Sequence, residues 1–288
     1  MDKDKAGKKA KTVLVISSQV MRGAVGNRVN IYVLERLGLS VWAMPTVFMP
    51  WQPRQGVSHK LAVTAADFAA FAADIAASPK ALEIDAVISG YFVSPEQVEI
   101  AADLIKRLKQ KRPDCLFLCD PIMGNENGPY VLPSVMQAVG EKLLPPADLV
   151  KPNRNELEWL CGEEFHDNAA LVAAIKARFH QPFFVSSAFP QAAQAMGNLY
   201  YDGRQVWLAE HPAQATQLNG FGDIIASLFL YHYMRGAKAP ELLQKTCAAV
   251  YACLSWTKRC GADELALASA PFDWAAPPLE KIKLARLA

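Results

Sequence analysis

The sequence predicts one α/β domain of three layers, a mostly parallel central sheet between two sheets of helices. Three observations carry this expectation. Short apolar, β-branched runs alternate with helical periodicity along nearly the whole chain. No internal repeat and no Pro/Gly/Ser-rich linker divides the 288 residues. Apolar residues make up 52% and charged residues 20%, enough to bury a sizeable core and too apolar for disorder.

In order, Thr12–Ser18 is an apolar run bounded by polar residues, and helical periodicity follows from Asn27 to Leu37. A second strand is expected at Ser40–Val47. The Ala-rich segment 64–77, interrupted by Asp67 and Asp74, is an amphipathic surface helix. Strand Ile84–Ser89 precedes a helix over 95–110 that ends in a basic run. Cys115–Cys119 is the next strand, with both thiols on one face and packed in the core. Helix 133–144 follows, then Leu149–Val150 leading into a helix near 155–160, then helix 168–179 and strand Pro182–Ser187. Leu199–Trp207 is expected as a hairpin about a two-residue Asp202-Gly203 turn. Helices over 224–235 and 239–256 close the series.

Charge and cysteine usage exclude several function classes. The net charge is +2, yet residues 1–11 carry five Lys and two Asp, leaving the body near neutral at −1. The expectation is a flexible basic leader at 1–11 and one domain over 12–288. A near-neutral body argues against nucleic acid as a partner. No apolar run is long enough for a membrane span or a secretory signal. Six dispersed cysteines without a C-x-x-C pair fit reduced thiols in the cytoplasm.

Parallel sheets bind ligands at the carboxyl ends of their strands, so the residues just after each strand are the candidates. The P-loop, nucleophile-elbow and spaced-histidine metal motifs are absent. Gly220-Phe221-Gly222-Asp223 opens a helix, where backbone N–H groups and the helix N-terminus favour an anion. Asp223 there is either an N-cap or a general base for an attacking hydroxyl. Asp120, at a strand end, and Glu156 could hold magnesium as phosphoryl transfer requires. Asn153 and Glu156 also fit a capping box, and the two roles are compatible.

The set VMRGAVGNR, DAVISGY, CDPIMG, KPNRNELEWLCG and GFGD, in this order, resembles the pyridoxal kinases of the ribokinase-like superfamily. The similarity runs from about Thr12 to Ala270 and includes TKRCGADELALASA. It implies a ribokinase-like fold, ATP-dependent phosphorylation of the hydroxymethyl group of a vitamin B6 compound, magnesium with a monovalent cation as a second candidate ion, and a homodimer. By position it implies Asp223 as catalytic base, with Gly220 and Gly222 shaping an anion hole. Ser18 and Tyr91 correspond to substrate contacts. Asp120, Lys151, Asn153, Glu156 and Ser186 fall on the ATP side, and Asp120 and Glu156 lie near the metal.

Departures from that pattern cluster on the substrate side. The family's Q-F-S-N-H-T-x-Y stretch is replaced by residues 48–56, FMPWQPRQG, with two prolines. Ser17-Ser18-Gln19 stands for Q-S-H, Phe221 separates the two glycines, Lys151 replaces a common Thr or Ala, and Asn125 an occasional acid. Two other readings accompany the B6 kinase: a kinase for another small hydroxymethyl compound such as hydroxymethylpyrimidine, and a catalytically weak vitamer-binding protein on the same scaffold.

Overall fold

The first strand, β1 (Thr12–Val20), sets the layering of the molecule. Leu14 and Ile16 enter one hydrophobic core, while Val13 and Val15 enter another on the opposite face. All four are fully buried, as expected where both faces of a strand are covered. The structure is a computed structural model that describes residues 10–287. Most of the expected leader, residues 1–9, therefore lies outside the described residues. Lys11 at its end donates to the Met234 carbonyl at 3.1 Å.

The remaining strands are β2 (Ser40–Met49), β3 (Leu61–Ala62), β4 (Ile84–Ser89), β5 (Leu116–Cys119), β6 (Gly124–Asn125) and β7 (Gly128–Pro129). They continue with β8 (Leu149–Val150), β9 (Phe183–Ala188), β10 (Ala195–Tyr201), β11 (Val206–Pro212) and β12 (Lys283–Arg286). The helices are α1 (Asn27–Arg36), α2 (Ala65–Ala77), α3 (Pro95–Lys111), α4 (Pro133–Ala138), α5 (Arg154–Cys161), α6 (Asn168–Arg178), α7 (Phe221–Met234) and α8 (Ala239–Arg259).

Among the described residues, ten strands form one sheet in the order β12-β11-β10-β9-β8-β5-β4-β1-β2-β3. From β2 through β9 the neighbours are parallel, and both ends are antiparallel. Helices α2 to α6 pack on one face, and α1, α7 and α8 on the other. Phe229 of α7 anchors the second core, stacked among Phe184, Tyr200 and Tyr233. The chain leaves β1 through α1 to β2 on one side, then returns to pair β4 on the other. This reversal of strand order opens a crevice at the carboxyl ends of β1 and β4.

Several expected boundaries shift. α7 begins at Phe221 rather than residue 224, so the glycine-rich turn lies inside its first turn. Residues 133–144 divide into α4 and a wider helical turn, Val139–Leu143. The Asp202-Gly203 hairpin turn has four residues, because Tyr201 pairs with Val206 and Asp202 Oδ1 accepts from both Arg204 N and Gln205 N. The short strands β3, β6, β7 and β12 carry too few residues for periodicity to reveal.

All six cysteines are free: Cys115, Cys119, Cys247 and Cys253 are buried, Cys161 half-buried and Cys260 exposed. Cys115 and Cys119 share one core, as expected. No helix among the described residues is long and apolar enough to cross a membrane.

Candidate active site

Gly220 takes a left-handed φ of 99° as the residue capping α7, and a Cβ on it would fall 1.9 Å from the Ala24 carbonyl oxygen. Only glycine fits such a position. The helix that starts here points its N-terminus at the crevice, and its third residue is Asp223. Asp223 is therefore not the N-cap. Its carboxylate leaves the helix instead: Oδ2 accepts from Gly26 N at 2.9 Å and Oδ1 from Asn30 Nδ2 at 3.2 Å. Asn30 is fixed in turn, since its Nδ2 also donates to the Gly26 carbonyl and its Oδ1 accepts from Ser227 Oγ. Burial raises the Asp223 pKa; the Gly26 N–H, Lys151 and Asn30 pull against that rise. Phe221, half-buried, packs against the cluster of Ala24, Ile224 and Leu265.

Gly26 has a positive φ of 58°, and a Cβ there would meet the Ser18 carbonyl oxygen at 2.4 Å. That close approach brings Ser18, near the end of β1, against the loop that holds Asp223. Tyr91 stands one residue past Gly90 at the end of β4, and its N–H donates to Ser17 Oγ at 3.2 Å. Its ring packs with Val20, Val25, Val47 and Met49, beside the start of segment 48–56.

On the other side of the crevice, Asp120 follows β5 and Lys151 follows β8. Lys151 Nζ lies 3.0 Å from Asp120 Oδ1, and both side chains are at most 3% exposed. The two form a buried ion pair, and Asp120 Oδ1 has no donor besides Lys151. Burial pushes Asp120 well above the usual carboxylate range; Lys151 opposes this, while Glu156 and Asp223 add to it. For Lys151, burial works against the ammonium, but Asp120, Glu156 and Asp223 outweigh it and keep the charge. A Cβ on Gly222 would lie 3.2 Å from Lys151 Nζ, so this cation joins the carboxylate cluster to the glycine turn.

Asn153 and Glu156 form the capping box of α5: Asn153 Oδ1 accepts from Glu156 N at 2.9 Å, and Glu156 Oε2 from Asn153 N at 2.7 Å. Glu156 Oε1 accepts from Met123 N at 3.0 Å, and Asn153 Nδ2 donates to the Gly124 carbonyl at 2.8 Å. The pair thus clamps the strand-end loop 120–124 onto α5. Burial raises the Glu156 pKa, opposed by Lys151 and the backbone N–H groups. Ser186 lies in β9 opposite Asn153, its N–H on the Pro152 carbonyl. Ser187 beside it is exposed with a φ of 56°, backbone strain at a strand's carboxyl end. Among the described residues no group of three or more His, Cys, Asp or Glu is placed to hold a metal.

The crevice thus brings together Ser18, Tyr91, Gly220, Gly222 and Asp223 on one side. Asp120, Lys151, Asn153, Glu156 and Ser186 lie on the other. Gly26, legible in the sequence only as part of VMRGAVGNR, holds Asp223, and sequence reasoning missed the two side chains that complete the support, Asn30 and Ser227. Their one signal is polarity on helix faces that are otherwise buried, and periodicity alone cannot pair positions nearly two hundred residues apart.

Residues 39–267 match the family described as phosphomethylpyrimidine kinase. The chain is 34% identical over 274 residues to pyridoxal kinase PdxY of Rubrobacter xylanophilus, covering 93% of this chain and 94% of that protein. It is 30% identical over 283 residues to pyridoxal kinase PdxY of Leifsonia xyli, covering 96% and 99%. Among solved structures, the Leishmania donovani pyridoxal kinase in complex with ADP and pyridoxamine superposes with a TM-score of 0.88 at 22% identity, over 96% of this chain and 100% of that one. The Entamoeba histolytica pyridoxal kinase gives 0.88 at 21% identity, over 97% and 100%. The structural likeness shows the shared fold, and the sequence identity runs nearly end to end on that fold. The chain therefore belongs to the pyridoxal kinase family of the ribokinase-like superfamily and is an ATP-dependent phosphotransferase.

Proposed function

We propose that the chain transfers the γ-phosphoryl group of ATP to the hydroxymethyl group of pyridoxal or a closely related B6 vitamer. The observation that carries the reading is Asp223: a buried carboxylate, oriented by Gly26 and Asn30, on the first turn of a helix whose N-terminal glycines leave room for an anion. Asp223 takes the proton of the attacking hydroxyl as its oxygen bonds to the γ-phosphorus, and the bridging oxygen leaves with ADP. The Gly220–Asp223 amides and the α7 N-terminus stabilise the charge that develops on the phosphoryl oxygens. Lys151, beside Gly222, adds a positive charge on the same side.

Asp120, a buried carboxylate at the crevice whose Oδ1 has no donor besides Lys151, would hold a magnesium ion through water. When bound with ATP, magnesium supplies charge that neutralises the triphosphate. Glu156 supports this site mainly by holding loop 120–124. The names of the relatives favour a B6 vitamer, and the Leishmania donovani structure with ADP and pyridoxamine supports a nucleotide and a vitamer as the two small-molecule partners. The homodimer and the monovalent cation rest on the family resemblance, and the cytoplasmic location on the dispersed, unpaired cysteines.

A product-detected assay with pyridoxal, pyridoxine, pyridoxamine and hydroxymethylpyrimidine in parallel tests the reading. Preference for the pyrimidine would replace the substrate, and binding without turnover in saturating Mg·ATP would replace the chemistry. Asp223→Asn should lower kcat by roughly 10²–10⁴, the usual scale for a lost general base. Only ionised Asp223 can act as base, so kcat/KM should fall as pH drops, with a midpoint above the ordinary value of 3.8. Asn at 223 should remove that acid limb.

A further inference from the structure

The segment after β2 is tied to the turn that carries Asp223 at two separate points. Gln52 is only 4% exposed, and its Oε1 accepts from Asn219 Nδ2 at 2.8 Å. Asn219 is the residue immediately before Gly220. Gln55 Nε2 donates to the Glu264 carboxylate. Glu264 also pairs with Arg22 Nη1 at 3.2 Å, and its carboxylate lies 3.3 Å from where a Cβ on Gly23 would stand. Leu265, its neighbour, comes within 3.1 Å of the corresponding point on Gly220. One short segment thus holds both flanks of the Gly220 turn, Gln52 directly and Gln55 through residues 264–265.

The segment has little freedom to absorb a displacement by itself. Pro50 and Pro53 fix two of its backbone angles, residues Pro53–Gln55 form a single helical turn, and Trp51 Nε1 donates to the Gly56 carbonyl at 3.2 Å. On the far side, Gly220 is backed against the Ala24 carbonyl and cannot retreat.

We propose that Gln52 and Gln55 are positioning residues that make segment 50–56 and the Gly220–Asp223 turn one mechanical unit. An acceptor seated against the segment then sets the amides that receive the phosphoryl group. This inference rests on the phosphotransfer reading of the same site and adds the residues that couple its two halves.

Hydrogen exchange on the full chain tests the coupling without any substrate. In Gln52→Ala and Gln55→Ala, the peptide spanning 219–223 should exchange about five-fold faster, the worth of one ordinary hydrogen bond. Exchange in α8 should stay as in wild type. Gln52→Glu keeps an acceptor for Asn219 and should restore protection. Unchanged exchange at 219–223, or a rise throughout the chain, overturns the proposal.

Turnover supplies the second readout. Gln52→Ala and Asn219→Ala should each lower kcat more than they raise KM for the acceptor, and ADP formed per phosphorylated acceptor should rise above one. The double variant should be no worse than the worse single, because both remove one bond. Additive losses would overturn the coupling. A wild-type chain that phosphorylates no vitamer would overturn the proposed activity alone, since the exchange comparison still decides the coupling.

Discussion

Gly220 and Gly222 sit two residues apart and answer to different demands. Gly220 needs both its left-handed φ of 99° and the space that the Ala24 carbonyl would deny a side chain. Gly222 is ordinary helix, and a Cβ there would meet only the flexible end of Lys151 at 3.2 Å. Gly220→Ala should therefore lose fold stability and activity together, by roughly 1–3 kcal/mol of backbone strain. Gly222→Ala should keep its melting temperature within a few degrees and raise KM for ATP by displacing the ammonium. Thermal melts beside steady-state kinetics separate the two. Lys151 carries a second expectation at this scale. Lys151→Met leaves Asp120, Glu156 and Asp223 without their shared countercharge, and unpairing a buried charge costs about 3–5 kcal/mol. The deficit should shrink as pH falls, because the orphaned carboxylates can take up protons. Urea midpoints at pH 7.5 and 5 measure it, and an equal deficit at both would reject the charge argument.

At the scale of elements, α5 shows how a local signal becomes a site component. Its capping box is legible in the spacing Asn153-x-x-Glu156, yet the spacing says nothing of Met123 and Gly124, which the same two side chains hold. Asn153→Ala should cost about 1 kcal/mol as a lost cap. It should also free the Gly124 carbonyl and weaken ATP binding more than vitamer binding. Calorimetric titration with each ligand checks the asymmetry. α7 teaches the reverse lesson. Sequence alone left Asp223 open between N-cap and base, and periodicity placed the helix start after it. The left-handed Gly220 moves the cap three residues back, so Asp223 lies inside the helix with its carboxylate turned outward.

At the scale of the whole molecule, α7 buries a histidine with no use in the site. His232 is 3% exposed, and its Nε2 has no hydrogen-bond partner. Burial, with smaller contributions from Lys245 and Arg235 against Glu241, lowers its pKa from 6.5 to about 4. A depressed folded-state value means the neutral ring favours the fold above pH 6.5, and that contribution is lost as pH falls toward 4. His232→Phe should flatten this part of the stability profile. Denaturant midpoints between pH 7 and 4 test it, and an unchanged slope would place the acid sensitivity elsewhere.

The sequence by itself determined the alternation of strands and helices, the three-layer class, the family resemblance and nearly every residue that meets in the crevice. Those features are local in the chain: hydrophobic period, glycine and acid at strand ends, a cap spacing. Tertiary structure decided the rest. The antiparallel ends of the sheet, the direction of the Asp223 carboxylate, Phe221 packing against the core and the burial of Lys151 against Asp120 all depend on distant segments. So does the tie from Gln52 to Asn219. Each needs two stretches of chain with no shared periodicity to arrive at one place, and only the assembled sheet with its reversed strand order brings them there.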